Sequence, residues 1–238
     1  AEMLKAKLFH DTLARTATNL DEGNAPRTNN IRLAAKAING TILNPGDEFS
    51  YNGTVGERTA ARGYQEAHAY SGGKIIDEFG GGVCQPSSTL YMAVLRADLK
   101  VTERHNHSFT VSYTPLGEDA TVDYGNLDFR FVNNTAYPVK ILAEQTDGQM
   151  IMTIVGTKTS DKTVATRTEV LETYKPETVE KQDSSLAAGE TQVETSGITG
   201  YSTRTYKVIT ENGKTTEVLA NKSTYSKRDE VVSVGTGS

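Results

Sequence analysis

One compositional break constrains this chain more than any motif in it. All four His, all six Phe, all four Met and the only Cys, Cys84, fall within residues 1–160, and residues 161–238 contain none of them. A stretch without His or Cys is poorly equipped for nucleophilic catalysis. Its alternation of Thr, Val and Tyr reads as exposed β-structure. Residues 156–162, where Gly, Thr, Ser, Asp and Lys cluster, mark the boundary. The expected organisation is a chemistry-bearing unit over residues 1–160 and an all-β unit over residues 163–238.

The bulk figures narrow the function classes. The chain has 238 residues, 36% hydrophobic and 23% charged, with a formal net charge of −5. That is globular, and no basic patch points to nucleic acid. No run of about 18 apolar residues is present, so no membrane span is expected. No signal peptide is visible, but both ends read as cuts in a longer protein. A missing signal is therefore weak evidence for a cytosolic location. A lone Cys excludes intramolecular disulfides.

Periodicity gives two helices in the first unit. Ile31, Ala34, Ala35 and Ile38 fall at i, i+3, i+4 and i+7, which predicts a helix over residues 29–38. Asn29 or Asn30 is expected to cap its start, with Asn39-Gly40 at its end. A second helix is predicted over residues 86–99, opened by Pro86, with Leu90, Ala93, Val94 and Ala97 on one face. The remainder reads as strands. Residues 139–144 and 150–155 flank Asp147-Gly148, and residues 206–210 and 215–219 flank Asn212-Gly213, two hairpin signals. Asn44-Pro45-Gly46-Asp47 is a turn leading into Glu48-Phe49-Ser50. The fold class is α+β: few helices on a largely antiparallel sheet, followed by a separate elongated all-β module.

Cys84 lies in Gly80-Gly81-Gly82-Val83-Cys84-Gln85-Pro86-Ser87-Ser88-Thr89. The glycines permit close backbone approach or positive φ. A thiol at a helix start feels the positive end of the helix dipole and the free N–H groups there, which favour the thiolate. The same N–H groups are candidates to hold an oxyanion. The plainer reading is a Gly-rich turn with the Cys packed beneath it; the context favours a reactive thiol.

A cysteine nucleophile needs a base. Arg104-His105-Asn106-His107-Ser108 follows about twenty residues later, and on a strand His105 and His107 share one face. Two His without a nearby carboxylate or second Cys make a poor zinc set, so no metal is expected. His107 is preferred as the base. Asn106 and Ser108 flank it, and the chain turns apolar at Phe109 and Val111, whereas His105 follows the charged pair Glu103-Arg104. Asp119, Asp123 and Asn126 are all candidates to orient the imidazole. Arg104, Ser87, Ser88, Tyr113, Tyr124 and Asp123 form the expected substrate-binding set. The competing readings are an ion-paired Arg104 and core or edge tyrosines. His10 and His68 are read as structural.

These residues carry a resemblance. Asn30-Ile31-Arg32-Leu33-Ala34-Ala35, Ile38-Asn39-Gly40-Thr41, Pro45-Gly46-Asp47-Glu48-Phe49-Ser50, Gly81-Gly82-Val83-Cys84-Gln85, Ser87-Ser88-Thr89-Leu90-Tyr91, Glu103-Arg104-His105-Asn106-His107-Ser108 and Asn133-Asn134-Thr135 resemble the VanW family over about residues 8–157. From about residue 164, Thr195-Ser196-Gly197-Ile198-Thr199-Gly200 and the closing Val-Val-Ser-Val-Gly are similar to the G-five domain, a β module of cell-surface proteins thought to bind wall sugars. The resemblance implies peptidoglycan stem peptides and glycan strands as partners, and an extracellular, cell-wall location with anchorage by a segment outside this sequence. Through clostridial members with this pairing, it also implies L,D-transpeptidation by a cysteine acyl-enzyme without a cofactor. The Ser-His-Gly-Cys signature of better-known L,D-transpeptidases is absent, so the mechanism transfers by chemistry and not by motif. The alternatives are a Cys/His peptidoglycan peptidase, an L,D-carboxypeptidase, or a non-catalytic wall-binding protein. The tail is expected to be dispensable for chemistry on soluble fragments.

Overall fold

The computed structural model describes residues 8–71, 74–146 and 148–237. Strand β1 (Asp11–Asn19) leads to helix α1 (Ala25–Ile38), then β2 (Ile42–Leu43), β3 (Glu48–Ser50), the short α2 (Tyr51–Val55) and the hairpin β4 (Glu66–Ser71) and β5 (Lys74–Phe79). Helix α3 (Cys84–Arg96) follows, then β6 (Lys100–Glu103), β7 (Arg130–Val132), β8 (Val139–Thr146) and β9 (Gln149–Gly156). The main sheet runs β1-β9-β8-β2, and β3-β7-β6 form a second; every pairing in both is antiparallel. Helix α3 packs on β1 and β9, and α1 on β8. The α+β expectation holds for this part of the chain.

The core follows from side-chain period. On β8, Val139, Ile141 and Ala143 are buried and the residues between them less so, the alternation of a strand with one face inward. Ile31, Ala34, Ala35 and Ile38 of α1 are buried as one stripe, as their spacing predicts. The helix nevertheless starts earlier than the predicted cap. Asn24 is its N-cap, accepting from the Arg27 N–H at 3.2 Å, and Pro26 sits in the first turn. Asn30 is inside the helix and does other work. Helix α3 also starts early, at Cys84, with Pro86 already inside the first turn. It is buried all round from Gln85 to Leu95, where its periodicity predicts one apolar face.

The turns match their sequence signals. Asn212 and Gly213 both take positive φ, 50° and 73°, which suits the twist of a two-residue hairpin. Gly148 does likewise at 73°, while Asp147 lies outside the described residues.

The second unit comprises β10 (Thr163–Tyr174), β11 (Thr178–Ala187), β12 (Thr191–Thr195), β13 (Gly200–Glu211), β14 (Lys214–Tyr225) and β15 (Glu230–Gly237). They form two three-stranded sheets, β10-β13-β14 and β11-β15-β12, with β11 and β15 parallel. Twelve-residue strands span roughly 40 Å. Val170, Val179, Val193, Val218 and Leu219 are exposed, so hydrogen-bonded ladders rather than a large apolar core hold these sheets. Gly200 is fixed by close approach: a Cβ there would lie 2.5 Å from the Tyr225 carbonyl oxygen.

Polar clamps, not apolar contacts alone, set α3 and the glycine turn before it. Gln85, at the helix start, donates to Thr18 Oγ1 (3.0 Å) and the Asn19 carbonyl (2.7 Å). Thr89, one turn on, receives from Thr16 through its carbonyl and bonds Thr18 through its hydroxyl, both at 2.8 Å. Fully buried Asn30 donates to the carbonyls of Gln65 (2.8 Å) and Gly81 (3.1 Å) and accepts from the Gln65 N–H (2.8 Å). Asn30→Ala leaves those buried backbone groups unpaired, so a loss of about 3 kcal/mol is expected. Urea unfolding measures it; a loss under about 1 kcal/mol would mean that the turn is held by other contacts.

Candidate active site

The glycine turn delivers Cys84 onto a short segment from the far side of the fold. Gly80 and Gly82 take φ of 89° and 103°, conformations that L side chains rarely adopt. The Tyr51 hydroxyl donates to the Val83 carbonyl at 2.7 Å, fixing the residue before the thiol. Residues 119–122 then run past it: the Sγ lies 3.5 Å from the Thr121 hydroxyl and 3.5 Å from both the N–H and the carbonyl of Val122. Ser88 ties the two together, receiving from the Ala120 N–H at 3.0 Å.

His107 comes to Cys84 from the connection after β6. It is not on a strand; β6 stops at Glu103, and His105 makes only an isolated bridge to Thr121. The two imidazoles therefore do not share a face. His107 is partly buried, with 15% side-chain exposure, and its Nδ1 meets Asp119 Oδ2 at 2.7 Å. The backbone N–H of His107 donates to that same oxygen at 2.7 Å. His105 is 41% exposed and pairs with Glu103 at 3.1 Å.

The electrostatics move the thiol and the imidazole in opposite directions. Burial pushes the Cys84 thiol up, but His107, the Thr121 hydroxyl and the Val122 backbone together draw it below its usual value. Burial pulls His107 down, yet the Asp119 hydrogen bond and Cys84 outweigh it and raise it to about 9. The two perturb each other strongly, although the direct hydrogen-bond contacts of the Sγ are with Thr121 and Val122. Burial raises Asp119, but bonding to His107 and the Arg104 charge hold it below the usual carboxylate range. Cys84, His107 and Asp119 thus lie in sequence, with Asp119 fixing the ring through Nδ1 and leaving Nε2 on the side of the Tyr113 hydroxyl.

Asp119 is itself held from the second unit. Tyr225 of β14, 1% exposed, donates its O–H to Asp119 Oδ1 at 2.5 Å and accepts from the Gly117 N–H at 2.7 Å. Asn221 donates to the Gly117 carbonyl (2.8 Å) and the Tyr91 hydroxyl (2.7 Å). Gly117 has no room for a side chain, since a Cβ would lie 1.9 Å from Thr205 Oγ1. The expectation of a tail dispensable for chemistry is therefore revised: without residues 163–238, Asp119 and Gly117 lose partners that bury and satisfy them.

The comparisons with known proteins agree with this layout. A family model described as VanW like protein matches residues 26–155, more than half of the chain. The chain belongs to the VanW-like family. A G5 domain model matches residues 164–237. The chain is 41% identical over 151 residues to the uncharacterized protein YoaR of Bacillus subtilis (strain 168), covering 63% of this chain and 50% of that protein. It is 30% identical over 127 residues to the vancomycin B-type resistance protein VanW of Enterococcus faecalis (strain ATCC 700802 / V583), covering 51% and 46%. The chain thus spans about half the length of these curated relatives. A solved IgA1 protease G5 domain covers 34% of this chain and all of its own, at 17% identity and a TM-score of 0.24, too low to carry an argument about fold.

Within the VanW-like domain, the expected substrate residues separate. Tyr113 joins the site: its hydroxyl lies 3.3 Å from His107 Nε2, and burial keeps it protonated. Ser87 and Ser88 are fully buried in α3, where Ser88 braces residue 120. Arg104, with 6% side-chain exposure, turns inward and gives three of its N–H groups to the Asp119 carbonyl (2.7 Å), Asp119 Oδ1 (3.0 Å) and Ser223 Oγ (2.7 Å), the ion-paired reading. Asp123 and Asn126 bond each other at 2.7 Å in an exposed turn beside Tyr124. His10 is exposed next to Asp11, and the His68 side chain lies outside the described residues. The first turn of α3 also offers fewer oxyanion donors than a bare helix start, because the Gln85 N–H is committed to Gly82 and Pro86 has none. Among the described residues no group of three or more His, Cys, Asp and Glu is arranged to hold a metal ion. No helix among them is long and apolar enough to cross a membrane.

Sequence reasoning passed over Asn30 in its bracing role and Tyr225. No local signal marks either of them, since each acts on residues remote in sequence.

Alkylation of Cys84 against pH reads the pair directly. With His107 removed, burial of the thiol is unopposed, so His107→Ala is expected to raise its apparent pKa to or above about 8.5, while His105→Ala leaves the curve in place. A larger effect from His105→Ala would reverse the assignment. Tyr225→Phe is expected to cost about 1–3 kcal/mol in chemical denaturation, because it strands the Asp119 oxygen and the Gly117 N–H.

Proposed function

We propose that this chain is a peptidoglycan L,D-transpeptidase of the cell wall, working through a Cys84 acyl-enzyme. The observation that carries the reading is the arrangement of Cys84, His107 and Asp119, with the thiol lowered and the imidazole raised to about 9. Membership of the family that includes a protein named for vancomycin resistance supports a wall substrate. The G5 match supports glycan as the partner of the second unit.

The Cys84 thiolate attacks the carbonyl joining the L-centre of diaminopimelate to the terminal D-Ala of a donor stem. The C–N bond breaks, and the departing D-Ala amine takes the proton held on His107 Nε2. The product is a thioester on Cys84. The side-chain amine of an acceptor diaminopimelate then attacks that thioester and gives its proton to the now neutral His107. Thiolate leaves, and a 3–3 cross-link is formed. Water in place of the amine gives L,D-carboxypeptidation. Asp119 holds the ring in one tautomer and stabilises the imidazolium in both half-reactions. The Tyr113 hydroxyl, next to His107 Nε2, and the Thr121 hydroxyl, 3.5 Å from the Sγ, are the side-chain donors at hand for the developing oxyanion.

Incubation with disaccharide-tetrapeptide followed by mass spectrometry tests the reading. Dimers with loss of D-Ala are expected from the parent, and none from Cys84→Ala or Cys84→Ser with unchanged circular dichroism. Full activity in Cys84→Ala ends the covalent mechanism, and tripeptide without dimer marks the hydrolytic alternative. The pH dependence carries a sign. Turnover needs thiolate and imidazolium together, so it is expected to fall on the alkaline side near pH 9 as His107 loses its proton. Alkylation needs only thiolate and keeps rising or levels off there. Parallel alkaline falls in both would remove His107 as the acid.

A further inference from the structure

The guanidinium of Arg58 is buried and, among the described residues, has no carboxylate paired with it. All three of its guanidinium nitrogens are inaccessible to solvent, and among the described residues none of them has a hydrogen-bond partner. Its charge rests only on aromatic faces: the guanidinium carbon lies 5.6 Å from the centroid of Tyr51 and 5.8 Å from that of Tyr124. Such faces offset part of the cost of burying a cation and leave the edge N–H groups unsatisfied. A planar fork of donors matches a carboxylate, which takes two parallel N–H bonds from it.

The location is what gives this meaning. Tyr51 bonds the carbonyl of Val83, directly before the thiol. Tyr124 stands two residues after Val122, whose N–H faces the Sγ at 3.5 Å. Gly80, in the turn that leads to Cys84, is bare against Arg58; a Cβ there would sit 2.6 Å from the Arg58 Cβ. Arg58 is thus tied to both walls around the thiol. Arg27, against Gly82, is already committed to Gln85 Oε1 at 2.8 Å.

We propose that Arg58 is a substrate subsite, its guanidinium binding a carboxylate of the peptide whose carbonyl Cys84 attacks. The inference rests on the acyl-enzyme reading for the identity of that peptide. Two carboxylates flank the scissile amide: the terminal one of D-Ala, a single carbon beyond the amide nitrogen, and the one on the D-centre of diaminopimelate. Either gives the fork its partner. Capture of the terminal carboxylate selects a donor that ends immediately after the scissile bond, since a further residue puts a neutral amide against the buried cation.

Calorimetric titration of the full chain carrying Cys84→Ala separates binding from turnover. The probes are L-Ala-γ-D-Glu-diaminopimelate-D-Ala, its C-terminal carboxamide, and the form amidated on the diaminopimelate D-centre. The acid is expected to bind, and one carboxamide to bind about thirtyfold or more weakly, identifying the carboxylate used. Arg58→Gln in the same background is expected to weaken the acid by a similar factor while leaving that carboxamide almost unchanged. Arg58→Lys should retain part of the preference, and thermal unfolding checks that each variant is folded. No measurable binding of the acid, equal binding of all three probes, or equal losses for acid and carboxamides in Arg58→Gln overturns the proposal. Carboxylate-selective binding through Arg58 without turnover by the parent would sink the transpeptidase reading and leave the subsite. Turnover with Arg58-independent binding would do the reverse.

Discussion

The carboxylate of Asp119 is the group on which the rest of this structure depends. It is almost wholly buried and accepts four hydrogen bonds: two from His107, one from Arg104 and one from Tyr225. A carboxylate at that depth costs several kcal/mol if any of these is missing, so the partners are obligatory. They come from two distant parts of the chain, Arg104 and His107 from the connection after β6 and Tyr225 from β14. The requirement to satisfy one anion therefore pins the connection after β6, the 117–122 segment and β14 against each other.

The charge arrangement centres on that point. Arg104 and His107 lie against the Asp119 carboxylate, which is held below its usual range, while His107 is raised to about 9 and the Cys84 thiol is drawn down. Glu118 lies just outside, paired with Arg96 at 2.7 Å and receiving from Thr166 of β10 at 2.6 Å. The second unit is thus joined to the first by polar contacts concentrated at residues 116–119, the backbone that presents Asp119. That junction carries the Tyr225 hydrogen bond to Asp119. It makes the integrity of the site sensitive to where β14 sits.

Much of the fold was legible because it is local. The stripe of Ile31, Ala34, Ala35 and Ile38, the alternation along β8, and the Asn-Gly hairpin depend on residues a few positions apart, and all formed as their spacing requires. The helix starts were misplaced for a physical reason. Asn29 and Asn30 look like caps in isolation, but Asn24 with Pro26 makes an earlier start, and Asn30 satisfies the Gln65 and Gly81 backbone instead. The shared face expected of His105 and His107 required a strand, and the chain leaves strand geometry at Glu103 to bring His107 back to Asp119.

By itself, the sequence determined that chemistry belongs to the first unit, that the thiol sits in a glycine turn opening a helix, and that an imidazole some twenty residues on is its natural companion. Those are properties of composition and short-range pattern. The tertiary structure decided the rest: which of three nearby polar residues orients that imidazole, that Arg104 is consumed internally, that Arg58 stands unpaired between two tyrosines, and that Tyr225 from the far end of the chain closes the network. The reason is range. Asp119 and Tyr225 are 106 residues apart in sequence yet 2.5 Å apart in space, and a hydrogen bond that depends on folding two units together leaves no periodicity to read.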